Sequence, residues 1–402
     1  VKPIKKSRQS PWVLILSAAA ILMISMGIRQ STGLFVSPLV MSTGQSIVSI
    51  SFAFAIGQLV WGAVQPVFGA VADKWGSARV VVFGAVLLAA GMGLTPYVSS
   101  EWGLIATVGV ISPAGAGAGS FALLFGAIAR HIPEERRAFA GGFINAGSSF
   151  GQFLFAPLTQ ALIGTFNWTT AMFSLAAAAL FTIPLAAPLR QGEEPHASDQ
   201  AHVSGGLFQQ VTAALRDRSY LCLHAGFFTC GFHVAFLVTH LPGEVALSGH
   251  AATVSAASIG IIGLFNIAGS LCAGALGSRY RMKYILAVMY GSRAIMIGLY
   301  LLAPKTVLTF YVFAASLGFT WLATVPPTAG LVGKLFGARY LSTLFGLTLL
   351  THQIGGFLGA WLGGIAMAND GNYMWMWYAD IVLAAAAALV NLPIREAKVI
   401  AK

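Results

Sequence analysis

Three charged side chains stand inside long apolar runs of this 402-residue sequence: Arg29, Arg293 and Asp380. A charge at mid-membrane depth is costly unless it is paired or used, so each one is a functional hypothesis by default. A guanidinium presents a planar fork of donors that matches a carboxylate. Arg29 has no acidic residue at matching depth in its half of the chain, because Asp73, Glu101, Glu134 and Glu135 all fall at loops. The chemistry it predicts is anion binding; the alternative is an arginine satisfied by backbone carbonyls and neighbouring polar groups. Asp380 is the one carboxylate inside any run. A structural ion pair between Arg293 and Asp380 would satisfy both and is the expectation. If that pair faces a cavity instead, Asp380 becomes a proton carrier.

Histidine adds a second chemistry, since imidazole titrates within the physiological range. His224, His233 and His240 lie in one apolar run and His352 in another. Positions 233 and 240 are two turns apart and share a helix face, whereas position 224 lies nearly opposite. Two ligands seven residues apart are too far separated for one metal ion without help, so no metal site is expected. His233 and His352, with Asp380, are the proton-coupling candidates. Gln30, Asn145, Gln152, Asn266, Trp321, Thr324 and Gln353 are polar groups at similar depth that could complete a binding site with Arg29, His233 and His352, because amides orient a ligand without adding charge. Gly115, Gly117 and Gly119 predict a close helix contact, and Pro326-Pro327 a kink. No ATP-binding motif or nucleophile constellation is visible, so neither an enzyme nor a bound cofactor is expected.

The elements that must hold these residues follow from composition. With 57% hydrophobic and 9% charged side chains, the chain has far too few ions for a soluble protein of its size, for which about 25% is usual. Apolar runs near 12–40, 46–70, 78–98, 103–129, 138–163 and 168–188 are each long enough to cross a bilayer as helix, and six more follow near 219–241, 252–277, 283–303, 306–332, 338–367 and 374–393. The reading is an all-α membrane protein of twelve spans in two six-helix bundles, 1–190 and 218–402. The polar linker 191–217 between them carries a short surface helix at its end. Twenty of the 23 Lys and Arg residues fall in alternate loops on one side, with Lys305 alone on the other. By the positive-inside rule both termini and the linker are cytoplasmic. The net charge of +11 is therefore membrane anchoring and implies no nucleic acid. The basic amino terminus precedes a run too long for a cleaved signal and is expected to stay as the first span. Cys222, Cys230 and Cys272 read as small buried apolar residues.

The two halves repeat at an offset of about 205 positions: Gly69-Ala-Val-Ala-Asp73-Lys-Trp-Gly76-Ser-Ala-Arg79 corresponds to Gly274-Ala-Leu-Gly-Ser-Arg279-Tyr-Arg281-Met-Lys283, and Arg130 to Lys334. The first of these loops resembles the signature of the major facilitator superfamily at Gly69, Asp73, Lys74, Gly76 and Arg79. Its flavour is similar to the bacterial relatives of the monocarboxylate transporters and the oxalate:formate exchanger. That likeness is carried by Gly27-Ile-Arg29-Gln30-Ser-Thr-Gly33-Leu-Phe35 and by Gly141-Gly-Phe-Ile-Asn145-Ala-Gly-Ser-Ser-Phe-Gly151-Gln152 with Pro157. The characteristic arginine of the eighth span and the carboxylate that precedes it in animal members align here with Ser270 and Asn266, so their substrate and coupling do not carry over.

The resemblance implies a fold of two rocking bundles, with spans 1, 4, 7 and 10 lining a central cavity and Asp73, Lys74, Gly76, Arg79 and Arg130 latching the bundles together. It places Arg29 on a cavity helix and Arg293 on a scaffold helix. The implied function is a secondary transporter in a bacterial inner membrane, monomeric, moving a small organic anion with protons. Two other readings fit the residues: an exporter of amphipathic or metal-chelating compounds, for which Asp380 is the only acid, and a non-transporting sensor on the same scaffold.

Overall fold

The computed structural model describes residues 10–129, 134–192, 207–277, 279–336 and 341–396. Among them lie twelve long helices, whose ends follow local chemistry. Helix α1 (Pro11–Thr43) opens on Pro11, whose missing N–H costs nothing in a first turn. The α1 hydrogen-bond ladder breaks after Gln30 into a 3-10 turn, Thr32–Phe35. There the hydroxyls of Ser31 and Thr32 bond back to the carbonyls of Gly27 and Arg29, each at 2.8 Å. The run expected to be continuous is thus bent just beyond Arg29. Helix α2 (Ile47–Trp75) starts on the cap of Ser46 and stops at Gly76, whose φ of 97° lets α3 (Ser77–Leu94) begin at once.

Helix α4 (Glu101–Ile128) contains a π-helical stretch, Ile105–Ile111, ahead of Pro113. Proline cannot donate to the preceding turn, and a π-bulge is one way the ladder absorbs that gap. Gly115 lies against α3 so closely that a Cβ would overlap the Leu88 backbone, as the glycine run predicts. Helices α5 (Glu134–Thr165) and α6 (Trp168–Leu180) complete the first set. A short helix, Leu207–Leu215, precedes α7 (Arg218–Leu247), which is capped by the Asp217 carboxylate accepting from Ser219 N at 2.8 Å. Then follow α8 (Ala252–Gly277), α9 (Met282–Leu302), α10 (Val307–Phe336), α11 (Leu341–Asp370) and α12 (Met374–Asn391).

The proline pair does not kink a continuous α10. The helix stops after Thr320 and restarts at Val325, with Pro326 and Pro327 in the first turn of the second segment, where amide donors have no intrahelical partner to lose.

Packing repeats in the two sets. Helix α1 lies along α5 as α7 lies along α11; α3 along α6 as α9 along α12; α2 along α4 as α8 along α10. The sets meet through α2 with α11 and α5 with α8. This explains why α5 and α11 are the more polar long helices: Ser148, Ser149, Gln152, Thr348, His352 and Gln353 are buried against neighbours instead of facing lipid. Large exposed apolar side chains such as Leu16, Phe83, Val288, Ile295 and Leu389 form the lipid surface. Exposed Tyr97, Trp102 and Phe166 at the charge-poor end and Trp75, Tyr280 and Tyr284 at the basic end suit the two interfaces.

Several contacts between the sets lie toward the charge-poor end. Gly33 of α1 abuts the Val238 carbonyl of α7 so tightly that a Cβ would overlap it. Phe52 of α2 meets Phe357 and Trp361 of α11 at 6.0 and 5.4 Å between ring centroids. At the basic end, Glu396 accepts from the amides of Met282 and Lys283 at 3.1 and 3.0 Å and from Lys334 Nζ at 2.7 Å. Next to it, Arg395 pairs with Asp217 at 2.6 Å.

Candidate functional site

The candidate residues gather in three places. The first is around Arg29, which sits one residue before the α1 break and is half-buried. Its Nη2 donates to Gln58 Oε1, and its guanidinium carbon stands 4.2 Å from the centroid of the Trp61 ring. Both partners come from α2, three residues apart on one face. Among the described residues no carboxylate pairs with Arg29. A neutral amide and an aromatic face hold the guanidinium in place without neutralising it. Beside it is a cavity of about 40 Å³ lined by α1, α2, α3, α4 and α6.

The second place lies wholly within the second set of helices. His233 of α7 hydrogen-bonds the Asp380 carboxylate of α12 through Nδ1, and both residues are buried. Trp321 of α10 approaches His233 edge-on at 5.7 Å. Arg293 of α9 does not pair with Asp380. Its Nη2 donates to the carbonyls of Thr320 and of Trp321, the latter at 2.6 Å. The expected ion pair fails because α10 breaks there. The end of its first segment presents unpaired carbonyls and the negative end of a helix dipole, which attract the guanidinium. Asp380 is then left to the imidazole. Cys230 of α7 packs into the same break, its Sγ 3.4 Å from Thr324 Oγ1. Four buried polar atoms here have no partner: His233 Nε2, Asp380 Oδ1, Arg293 Nη1 and Trp321 Nε1.

The third place is the seam between the sets. Asn266 of α8 donates to Ser149 Oγ of α5 at 2.8 Å and accepts from Leu322 N in the α10 break at 2.9 Å. It thus joins one set to the break in the other. His352 Nδ1 lies 3.0 Å from Gln353 Nε2 on α11, and the Gln353 side chain lies against Gly62 of α2. Gly356, one turn along, lies against Gln58, the partner of Arg29. Gln30 and Gln152 are buried, each with one unpartnered amide atom, and Asn145 is half-buried. Of the loop residues, Gly76 forms the α2–α3 turn and Arg79 is exposed; the side chains of Asp73 and Lys74, and all of Arg130, lie outside the described residues. Sequence reasoning missed Gln58 and Trp61. The available signal was Gln58, Trp61 and Gln65, polar or aromatic at helical spacing within an apolar run.

Twelve helices, a repeated packing order and two cross-set seams define the architecture, and residues 15–360 match the sequence pattern of the Major Facilitator Superfamily. The chain belongs to that superfamily. Over 388 residues it is 26% identical to monocarboxylate transporter 13 of Rattus norvegicus, covering 95% of this chain and 89% of that one. It is 24% identical over 363 residues to the oxalate:formate antiporter of Oxalobacter formigenes, covering 90% and 86%. A crystal structure of a D-xylose-proton symporter superposes with a TM-score of 0.74 over 96% of this chain and 97% of that one; at 14% identity the likeness concerns the fold. This superfamily member is a multi-pass membrane transporter and not an enzyme.

Proposed function

We propose that this transporter moves a small organic anion, a monocarboxylate, across a bacterial inner membrane by alternating access, together with a proton. The observation that carries the reading is Arg29: a guanidinium inside the membrane, steadied by Gln58 and Trp61 and matched to no carboxylate of the described chain. A substrate carboxylate supplies the missing charge. The names of two relatives, a monocarboxylate transporter and an oxalate:formate antiporter, point to the same class.

Two bundles, 1–190 and 218–402, rock about the seams, and the linker 191–217 and both termini are cytoplasmic; the molecule acts as a monomer. With that sidedness, the contacts at the charge-poor end are the ones that close the outer face in a state open to the cytoplasm. Asp73, Lys74, Gly76, Arg79 and Arg130 latch the opposite end in the alternate state. The His233–Asp380 pair takes the proton, and His352, beside Gln353 on the seam, is the second proton-coupling candidate. Asn145, Gln152, Asn266, Trp321 and Thr324 tune selectivity. Because Asp380 is engaged by His233, a cation exporter lacks the free acid it would need.

In proteoliposomes with an inward proton gradient, Arg29→Gln is expected to abolish uptake of labelled lactate. Arg29→Lys, which keeps the charge and loses the fork, should retain a small part of it. Uptake by Arg29→Gln at the rate of the unmodified protein refutes the proposal.

A further inference from the structure

The cavity beside Arg29 has one charged residue in its wall, and the remainder is mostly apolar. Arg29, Thr32, Gln58 and Ser112 are its polar lining; Phe54, Leu88, Met92, Val108 and Met172 are the large apolar part. The volume of about 40 Å³ gives room for about three water-sized groups. A guanidinium in the wall of a small, mostly apolar chamber is complementary to a ligand with an anionic head and a short hydrocarbon tail. Ser112 also lies in the wall, and its buried hydroxyl has no partner. A buried hydroxyl left unpaired is costly, so a single oxygen on the tail is accommodated there. A second carboxylate would be enclosed among methionines and phenylalanine with no cation to meet it.

The chamber also explains two irregularities of the backbone around it. The α1 break just past Arg29 turns Thr32 toward the wall residues, and the π-helical stretch Ile105–Ile111 carries Val108 immediately before Ser112 and Pro113. Local departures from α-helix at a ligand chamber are a recurrent use of such bulges.

We infer that this intra-bundle chamber is the tail subsite of the Arg29 site and selects aliphatic monocarboxylates with a tail of about two or three carbons, rejecting dicarboxylates. The inference rests on the anion-transport reading and adds where the tail goes. It separates the substrates named for the two relatives: a short monocarboxylate fits, whereas oxalate does not.

The test measures binding of acetate, propionate, butyrate, hexanoate and oxalate to the purified full-length protein by ligand-induced shift of its unfolding temperature, with competition for uptake as a second readout. Each methylene up to butyrate is expected to tighten binding by about fourfold, after which hexanoate weakens. Met92→Ala enlarges the chamber and should move the optimum to longer acids, while Ala116→Leu, which fills it, should flatten the series toward acetate. Arg29→Gln should weaken all the monocarboxylates by a common factor. Oxalate binding as tightly as butyrate, or an identical chain-length series in Met92→Ala, overturns the tail subsite while leaving anion transport in place. Failure of every acid to bind the unmodified protein overturns both.

Discussion

Asp380 uses one carboxylate oxygen on His233 and leaves the other without a partner, in a region with no exposed surface. Trp321 of α10 stands edge-on to the pair, and Cys230 of α7, one turn before His233, packs against Thr324 in the α10 break. Removing one member of such a pair strands the other, at a cost of about 3–5 kcal/mol. Asp380→Asn and His233→Gln are therefore expected to lower the unfolding temperature in detergent. Replacing both residues by Leu should recover most of the loss. If the pair carries the proton, all three variants lose gradient-driven accumulation yet keep substrate exchange, and accumulation at normal levels in Asp380→Asn removes that role. The sequence marks Arg29, Arg293 and Asp380 as charges inside apolar runs, because scarcity of charge makes them stand out. It does not show their partners: those depend on which helix faces which. Arg293 and Asp380 were the obvious pair by charge, yet a broken helix and an imidazole lay nearer.

The broken helix is α10, and Arg293 acts on it as a cap, not as a counter-ion. Arg293→Met keeps the length of the side chain and removes its donors, leaving the Thr320 and Trp321 carbonyls without that partner at a cost of about 1–3 kcal/mol each. Faster hydrogen exchange confined to residues 320–324 is expected, with the effects of Asp380→Asn unchanged in this background. Coupling between Arg293→Met and Asp380→Asn would instead signal an ion pair. Discontinuity in α10 was legible from Pro326 and Pro327; its position before them was not, since prolines can either bend a helix or begin one. The π-helical stretch of α4 left no distinctive mark apart from Pro113. The polarity of α5 and α11, by contrast, announced helices that face other helices.

At the scale of the whole molecule, twelve spans and an internal repeat were readable from apolar length and loop charge, because the bilayer fixes both. The contacts between the two sets were not, since the seams depend on glycine-sized clearances between distant segments such as Gly33 and Val238. Phe52 and Phe357 meet across the seam toward the charge-poor end. With Cys222, Cys230 and Cys272 replaced by Ala, the pair Phe52→Cys and Phe357→Cys should crosslink. Uptake is then expected to stop and to return on reduction; full uptake while crosslinked would rule out opening at this end. The opposite end has its own fastening in Glu396, which holds the first amides of α9 and Lys334 of α10, while Arg395 reaches the start of α7. The chain leaving α12 thereby laces the feet of four helices into a single plate. Such a plate can tilt but cannot fan out, so whatever gap admits a solute on that side must open along the plate's border with the first six helices and not between the helices it ties.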